Sequence, residues 1–342
     1  MGVWAWVGFC VFIVALLAFD LGVLHRKRRE IGVREALGLT AGYITRALIF
    51  GAGVFWLQGP EPGWQFLTGY LVEKSLSLDN VFVILLVFTY LGVPKAHQHR
   101  VLFWGILGAM AMRAALIIAG IALIDRFHWV IFLFGAFLIA TGLKMLLAAD
   151  KQPDLSENKI LLFVSKRLRV IKGYEGDRFF VRCSGALFAT PLFLALILVE
   201  VSDLVFAIDS IPAILAISQD PFIVFTSNVF AILGLRALYF ALADIVPRFR
   251  YLKYGLSLVL VLIGGKMIVN GWFGEKTIPT EIALLLTALL IGGAIAFSMI
   301  KTRKAPPVLA PQDLTGWVPG SAPRAAPTRP LDAKGERPEV PR

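Results

Sequence analysis

Cysteine and histidine are almost missing from this chain, with two Cys and four His in 342 residues. Cys10 and Cys183 stand in or beside separate apolar runs without CxxC spacing. That excludes a disulfide framework and a dithiol redox centre. His97 and His99 fall between two apolar runs, where they read as solvated loop residues. Charge is also scarce: only 17% of residues are Asp, Glu, Lys or Arg, against 58% hydrophobic. The first apolar run has no basic stretch before it and no small-residue cleavage pattern, which leaves no sign of a removable signal peptide. It reads as a first membrane span.

Long apolar runs fill the sequence. Windows of about 20 residues, the length that spans a bilayer, occur at 3–24, 38–58, 66–93, 101–124, 130–149, 184–217, 222–245, 253–273 and 279–300. The mean hydropathy is +0.76. The expectation is an all-α polytopic membrane protein of about nine transmembrane helices. A net charge of +11 raises the question of nucleic acid, but the basic residues fall in alternate loops. Arg26, Lys27, Arg28, Arg29 and Arg34 follow the first span, Lys95 and Arg100 the third, eight Lys and Arg between Lys151 and Arg182 the fifth, and Arg248, Arg250 and Lys253 the seventh. The intervening QGPEPGWQ and SQDP carry none. The positive-inside rule then gives an outside N-terminus and a cytoplasmic C-terminus, with no nucleic-acid partner.

The expected organisation is two spans in 1–65, three in 66–149, a basic cytoplasmic loop at 150–183 with a short amphipathic stretch, three spans in 184–273 and a last span at 279–300. A tail at 304–342, rich in Pro, Ala and Arg, should be disordered. SLDNVFVI ending at Ile84 aligns with VSDLVFAI ending at Ile208, matching Asp79 with Asp203. Arg113 follows Asp79 by 34 residues and Arg236 follows Asp203 by 33; Lys144 and Lys266 follow those arginines by 31 and 30. Two units of three spans each, with no extra crossing between, must enter the membrane from opposite sides. This is an inverted-topology repeat. Lys144 and Lys266 read as side chains reaching an interface.

Acid lies where lipid does not tolerate it: Glu73, Asp79 and Asn80 in one segment, Glu200, Asp203 and Asp209 in the other, with Asp20 near the end of span one. Such groups mark a functional site by default. The run 184–217 would be ~50 Å long as one helix against a hydrocarbon core of ~30 Å. Pro191 and Pro212 each remove a helical donor, so this segment is expected to be interrupted, exposing carbonyls beside the carboxylates. Glu200 and Asp203 share one helix face, and Ser202 and Asp209 another. Glu73 with Ser77, and Ser75 with Asp79, are spaced one turn apart. No regular helix aims all of these at one point. Carboxylate, amide and hydroxyl oxygens without His or Cys suit a hard cation such as Mn²⁺, Mg²⁺ or Ca²⁺, and carboxylates that lose protons to bind metal make proton exchange a natural coupling. Lys74, Arg113 and Arg236 are the candidate ion-pairing or gating bases. The alternative is that these acids serve only as buried ion pairs.

FDLGVLHRK followed by EALG, GYLVEKSLSLDNVFV and VEVSDLVFAIDSIPA resemble, in that order, the TerC family of tellurium-resistance or Alx-type integral membrane proteins, within the LysE-like transporters. The resemblance extends over about residues 1–300. It implies a polytopic transporter of inverted repeats in the bacterial cytoplasmic membrane whose activity is metal export, principally manganese, with no permanently bound cofactor. It further implies that Glu73, Asp79, Asn80, Glu200, Asp203 and Asp209 are the motif residues, with Asp20 a companion. Tellurite is an anion, and a carboxylate cluster is the wrong environment for it. Two rivals stand beside transport. An intramembrane aspartyl protease could use Asp79 with Asp203 or Asp209, although the GxGD context is missing, and a non-transporting scaffold or redox-linked stress protein would not need the acids.

Overall fold

The computed structural model describes residues 3–24, 33–147, 170–171, 174, 176–183, 186–242, 251–273 and 277–301, and within them leaves the side chains of 3–5, 17–24, 33, 183, 186 and 242 aside. The tail at 304–342 lies outside these residues, as does the expected amphipathic stretch apart from Val170 and Ile171, the latter donating its N–H to the Ala189 carbonyl at 3.0 Å. The helices are α1 (Val3–Leu24), α2 (Val33–Gln58), α3 (Pro60–Leu91), α4 (Lys95–Arg126), α5 (Val130–Leu147), α6 (Pro191–Leu215), α7 (Pro221–Leu233), α8 (Leu235–Leu242), α9 (Leu252–Phe273) and α10 (Thr280–Lys301). A single small hairpin, β1 (Phe180–Cys183) against β2 (Ala186–Ala189), precedes α6. Among the described residues, seven segments are long and apolar enough to cross a membrane: α2, α4, α5, α6, α7 with α8, α9 and α10. The other two expected spans are α1, whose described apolar part is Trp6–Leu16, and the 32-residue α3, which carries Glu61, Glu73, Lys74, Asp79 and Asn80. Apolar side chains such as Ile118, Leu133, Leu285 and Leu289 are exposed, as on a surface solvated by lipid.

Helix boundaries follow local chemistry. Pro60, Pro191 and Pro221 open α3, α6 and α7 at the first helical positions, where a missing N–H costs nothing. Gly92 closes α3 in the left-handed region at φ 65°, with the Val93 N–H donating to the Phe88 carbonyl at 2.8 Å; only a residue without Cβ adopts this cheaply. The run 184–217 is not one helix. Its first part is strand β2 and the helix begins at Pro191, so the length excess that suggested an interrupted acidic span disappears. Pro212 lies inside α6 without ending it, and α3 is likewise continuous. The interruption is elsewhere, at Gly234 between α7 and α8.

The inverted repeat is visible in how the helices pack. Along α3 and α6 the partners run in opposite order, Gln65 with Ser218, Asn80 with Asp203, and Val87–Leu91 clustered with Leu192–Leu198. These two first helices of the repeats are therefore antiparallel. The third helices, α5 and α9, are antiparallel too. A Cβ on Gly135 would lie 3.0 Å from the Gly264 carbonyl oxygen, and one on Gly142 would lie 2.7 Å from that of Ser257. The alignment that superposes Lys144 on Lys266 superposes Gly135 on Ser257 and Gly142 on Gly264, so these two contacts exchange under the repeat. α4 runs parallel to α6, with Gly105 at Val199 and Gly120 at Leu215. α7 and α8 run parallel to α3, with Gly69 at Ser227 and Phe88 at Tyr239. The pairing is reciprocal, as a two-fold axis lying across the helices requires.

The residues leading into the hairpin clamp one end of the bundle. His97 pairs with Asp177, Arg100 lies 4.8 Å over the Phe179 ring, and the Tyr174 hydroxyl donates to the Leu91 carbonyl at 2.6 Å. Burial pushes the Tyr174 phenol above its usual range. His97 and His99, expected in a solvated loop, are instead in the first turn of α4, and His99 packs on Phe240 with ring centroids 4.2 Å apart. At the opposite end a cavity of about 470 Å³ opens among Gln65, His128, Trp129, Lys266, Asn270 and Thr280. Lys266 is only 4% exposed, so it does not reach out from the bundle as expected, whereas its repeat mate Lys144 is exposed.

A buried charge cluster between the repeats

Midway between these ends, α3, α4 and α6 bury one arginine against two carboxylates. Arg113 on α4 is 1% exposed, Glu73 on α3 is 1% and Asp203 on α6 is 8%. The guanidinium forks onto Asp203, Nε to Oδ2 at 3.1 Å and Nη2 to Oδ1 at 2.9 Å. Its Nη1 bonds Glu73 and donates to the Ser210 hydroxyl at 3.3 Å. Asn80 Nδ2 donates to Asp203 Oδ1 at 3.1 Å. A bidentate guanidinium–carboxylate pair is the strongest arrangement available to these groups. Even so, with both carboxylates ionised the cluster carries one negative charge in excess. Glu73 Oε2 and Asn80 Oδ1 are buried and accept no hydrogen bond from a described residue.

Beside this cluster is a cavity of about 20 Å³ touched by Asn80, Ser202 and Asp203 and otherwise walled by apolar side chains such as Leu102, Ile106 and Phe206. It has room for about one water-sized species. The serines near the acids direct their protons to their own helices: Ser75 to the Leu71 carbonyl, Ser77 to that of Glu73 and Ser202 to that of Leu198, all at 2.7 to 2.8 Å. Their oxygen lone pairs remain for other donors or for a cation.

The remaining candidates are distributed around the cluster. Asp209 accepts from Thr141 on α5 at 3.3 Å. Glu200 sits against Gly108 of α4. Asp79 is half-buried, has no hydrogen bond or ion pair to a described residue, and feels Lys253 as its opposing charge. Asp20 falls in α1, with its side chain outside the described residues. Lys74 pairs with no acid among the described residues; it donates to the Ala231 carbonyl at 3.2 Å, and a Cβ on Gly234 would lie 2.8 Å from its Nζ. The break between α7 and α8 frees that carbonyl, and the ammonium satisfies it. Arg236, 3% exposed, occupies α8 beyond the break.

The structure thus joins Glu73, Asn80, Asp203 and Arg113, and adds Ser210, which the sequence reading left out although it is seven residues after Asp203 and shares its face. Among the described residues no three His, Cys, Asp or Glu side chains group so as to hold a metal. An Asp79–Asp203 dyad sharing a proton is not formed, because both Asp203 oxygens are held by Arg113 and Asn80; Asp209 accepts from Thr141 through Oδ1.

Residues 58–305 match the integral membrane protein TerC family. The chain belongs to this family. Its relatives include an uncharacterized membrane protein of Myxococcus xanthus, 51% identical over 88% of this chain and 93% of the relative. Another, from Rickettsia bellii, is 44% identical over 87% of this chain and 97% of its own length. A third, from Escherichia coli K12, bears the name "Putative membrane-bound redox modulator Alx" and is 44% identical over 82% of this chain and 89% of its own. No solved structure matches. The TerC assignment accounts for the multi-pass helical fold, and the charge cluster lies within the matched region.

Proposed function

We propose that this TerC protein moves a divalent metal cation, Mn²⁺ foremost, out of the cytoplasm through the site between its repeats, with protons exchanged in return. The carrying observation is that one guanidinium, Arg113, faces two buried carboxyl groups, Glu73 and Asp203, while Glu73 Oε2 and Asn80 Oδ1 have no hydrogen-bond partner among the described residues. Burying an uncompensated charge is expensive, and a cation exchanging with Arg113 relieves it. In the conformation described, Arg113 occupies the carboxylates, which is why no metal-holding group forms. An oxygen-only donor set favours a hard cation. In this reading the membrane is the bacterial cytoplasmic membrane with the N-terminus outside. The hairpin end faces the cytoplasm and the 470 Å³ cavity opens outside. Glu200, Asp203 and Asp209 then follow one another outward along α6, the first and last about 13 Å apart at 1.5 Å per residue.

Purified protein in proteoliposomes, given Mn²⁺, Ca²⁺ and Mg²⁺ in parallel with and without a pH gradient, tests this. Mn²⁺ flux abolished by Asp203→Asn or Glu73→Gln is the expected result. Absence of flux for every metal, or flux indifferent to both substitutions, overturns it and favours the scaffold. A redox role like that in the name of the Escherichia coli relative would rest on Cys10 and Cys183, which lie on α1 and β1.

A further inference from the structure

We propose that Gly108 is a positioning residue: the missing side chain at this point of α4 forms the socket that seats the Glu200 carboxylate. The inference rests on the transport reading and goes beyond it to the first acid a cation would meet from the hairpin end. α4 and α6 run side by side here, and their approach is set by glycine. A Cβ on Gly105 would lie 3.3 Å from Val199 Cγ1. A Cβ on Gly108 would lie 1.9 Å from Glu200 Oε1, 2.5 Å from Cδ and 2.6 Å from Oε2. All three atoms of the carboxyl group therefore lie over the bare α4 backbone. No donor holds them: Glu200 has no hydrogen bond or ion pair to a described residue, and the charge that acts on it is Asp203, one turn along α6. Among the described residues the carboxylate is positioned by shape, beside a second carboxylate, and both of its oxygens remain available to a cation.

The obstacle a methyl group at 108 would meet is the far end of a flexible side chain and not backbone. Gly108→Ala therefore displaces the carboxylate while the helices stay in register. Shortening the acid by one methylene, Glu200→Asp, withdraws it from α4 and removes the collision. In proteoliposomes supplied with Mn²⁺, Gly108→Ala should raise the apparent KM about tenfold, the scale of losing a group that orients a metal ligand, with a smaller change in maximal rate and an unchanged unfolding midpoint. Gly108→Ala combined with Glu200→Asp should recover a KM below that of Gly108→Ala alone, and Gly265→Ala, with nothing within 4 Å of the added methyl, should leave KM unchanged.

A wild-type KM in Gly108→Ala overturns the proposal, as does a double variant no better than the single one. If Gly108→Ala fails to fold, the double variant decides: folding restored supports the socket, and folding still lost refutes it. If the wild type moves no metal, the transport reading falls, and the socket is judged separately by carbodiimide labelling of Glu200 read by mass spectrometry. A labelling rate altered by Gly108→Ala supports it, and equal rates refute it.

Discussion

Asp79 and Asp203 occupy the same place in the two repeats, yet one stands without a bond to any described residue and the other receives three hydrogen bonds. The difference continues outward from this pair. In the alignment that matches them, Glu73 superposes on Ile197, Asn80 on Leu204, Glu200 on Leu76 and Asp209 on Leu85. The repeats share a backbone frame, including the reciprocal contacts of α5 with α9, and the charged pairs Asp79 with Asp203 and Arg113 with Arg236, while Glu73, Asn80, Glu200 and Asp209 each belong to one repeat alone. The two-fold repeat sets the backbone frame, and the unmatched side chains make the charge cluster between its halves asymmetric.

The largest break in this contrast should come from Arg113→Met. It leaves Glu73 and Asp203 buried without their cation, at a cost of about 3–5 kcal/mol in the unfolding free energy measured in mixed micelles. A loss below 1 kcal/mol would mean that the carboxylates are protonated or hydrated there. Next is the shared frame: Gly142→Ala drives a methyl into the Ser257 carbonyl and should cost about 1–3 kcal/mol. Gly265→Ala, with nothing within 4 Å, should be neutral in the same assay. The second helices of the repeats also differ at their starts. α7 is capped by Asp220, which accepts from the Phe222 and Ile223 N–H groups, and α4 begins after Pro94 with no side-chain cap. Asp220→Ala should cost about 1 kcal/mol, read as a lowered midpoint. Asp79→Asn should change stability least, by about 0.5 kcal/mol or less, and a double-mutant cycle of Asp79 with Arg113 should show no coupling where Asp203 with Arg113 does.

Much of the frame was legible in the sequence because lipid demands long apolar windows and the repeat left matched landmarks at Asp79, Arg113 and Lys144. Residues 184–217 misled because an apolar strand and an apolar helix look alike without periodicity; Pro191 was the available sign of the true start. The acids on different helix faces suggested unwinding. The fold solves that problem by bringing a long guanidinium from α4 to Glu73 and Asp203 while α3 and α6 stay regular. Lys74 could not be placed from sequence, since its partner is a carbonyl released by a break at Gly234, 160 residues away. Gly108 and Thr141 were invisible for the same reason: a glycine's importance depends on which neighbour fills its space, and a threonine's on which carboxylate comes within reach. Ser210 was legible in principle from its spacing to Asp203.

The crossing of α5 and α9 carries a restriction on how these sequences are free to vary. Gly135 is closed off by the Gly264 carbonyl, and Gly264 by the Gly135 carbonyl at 2.7 Å. Each position bars a side chain at the other through backbone, which no rotamer change can move aside. Neither glycine can therefore be exchanged first, and exchanging both together makes the collision worse, so drift at this seam has no stepwise path that keeps the two helices at their present separation.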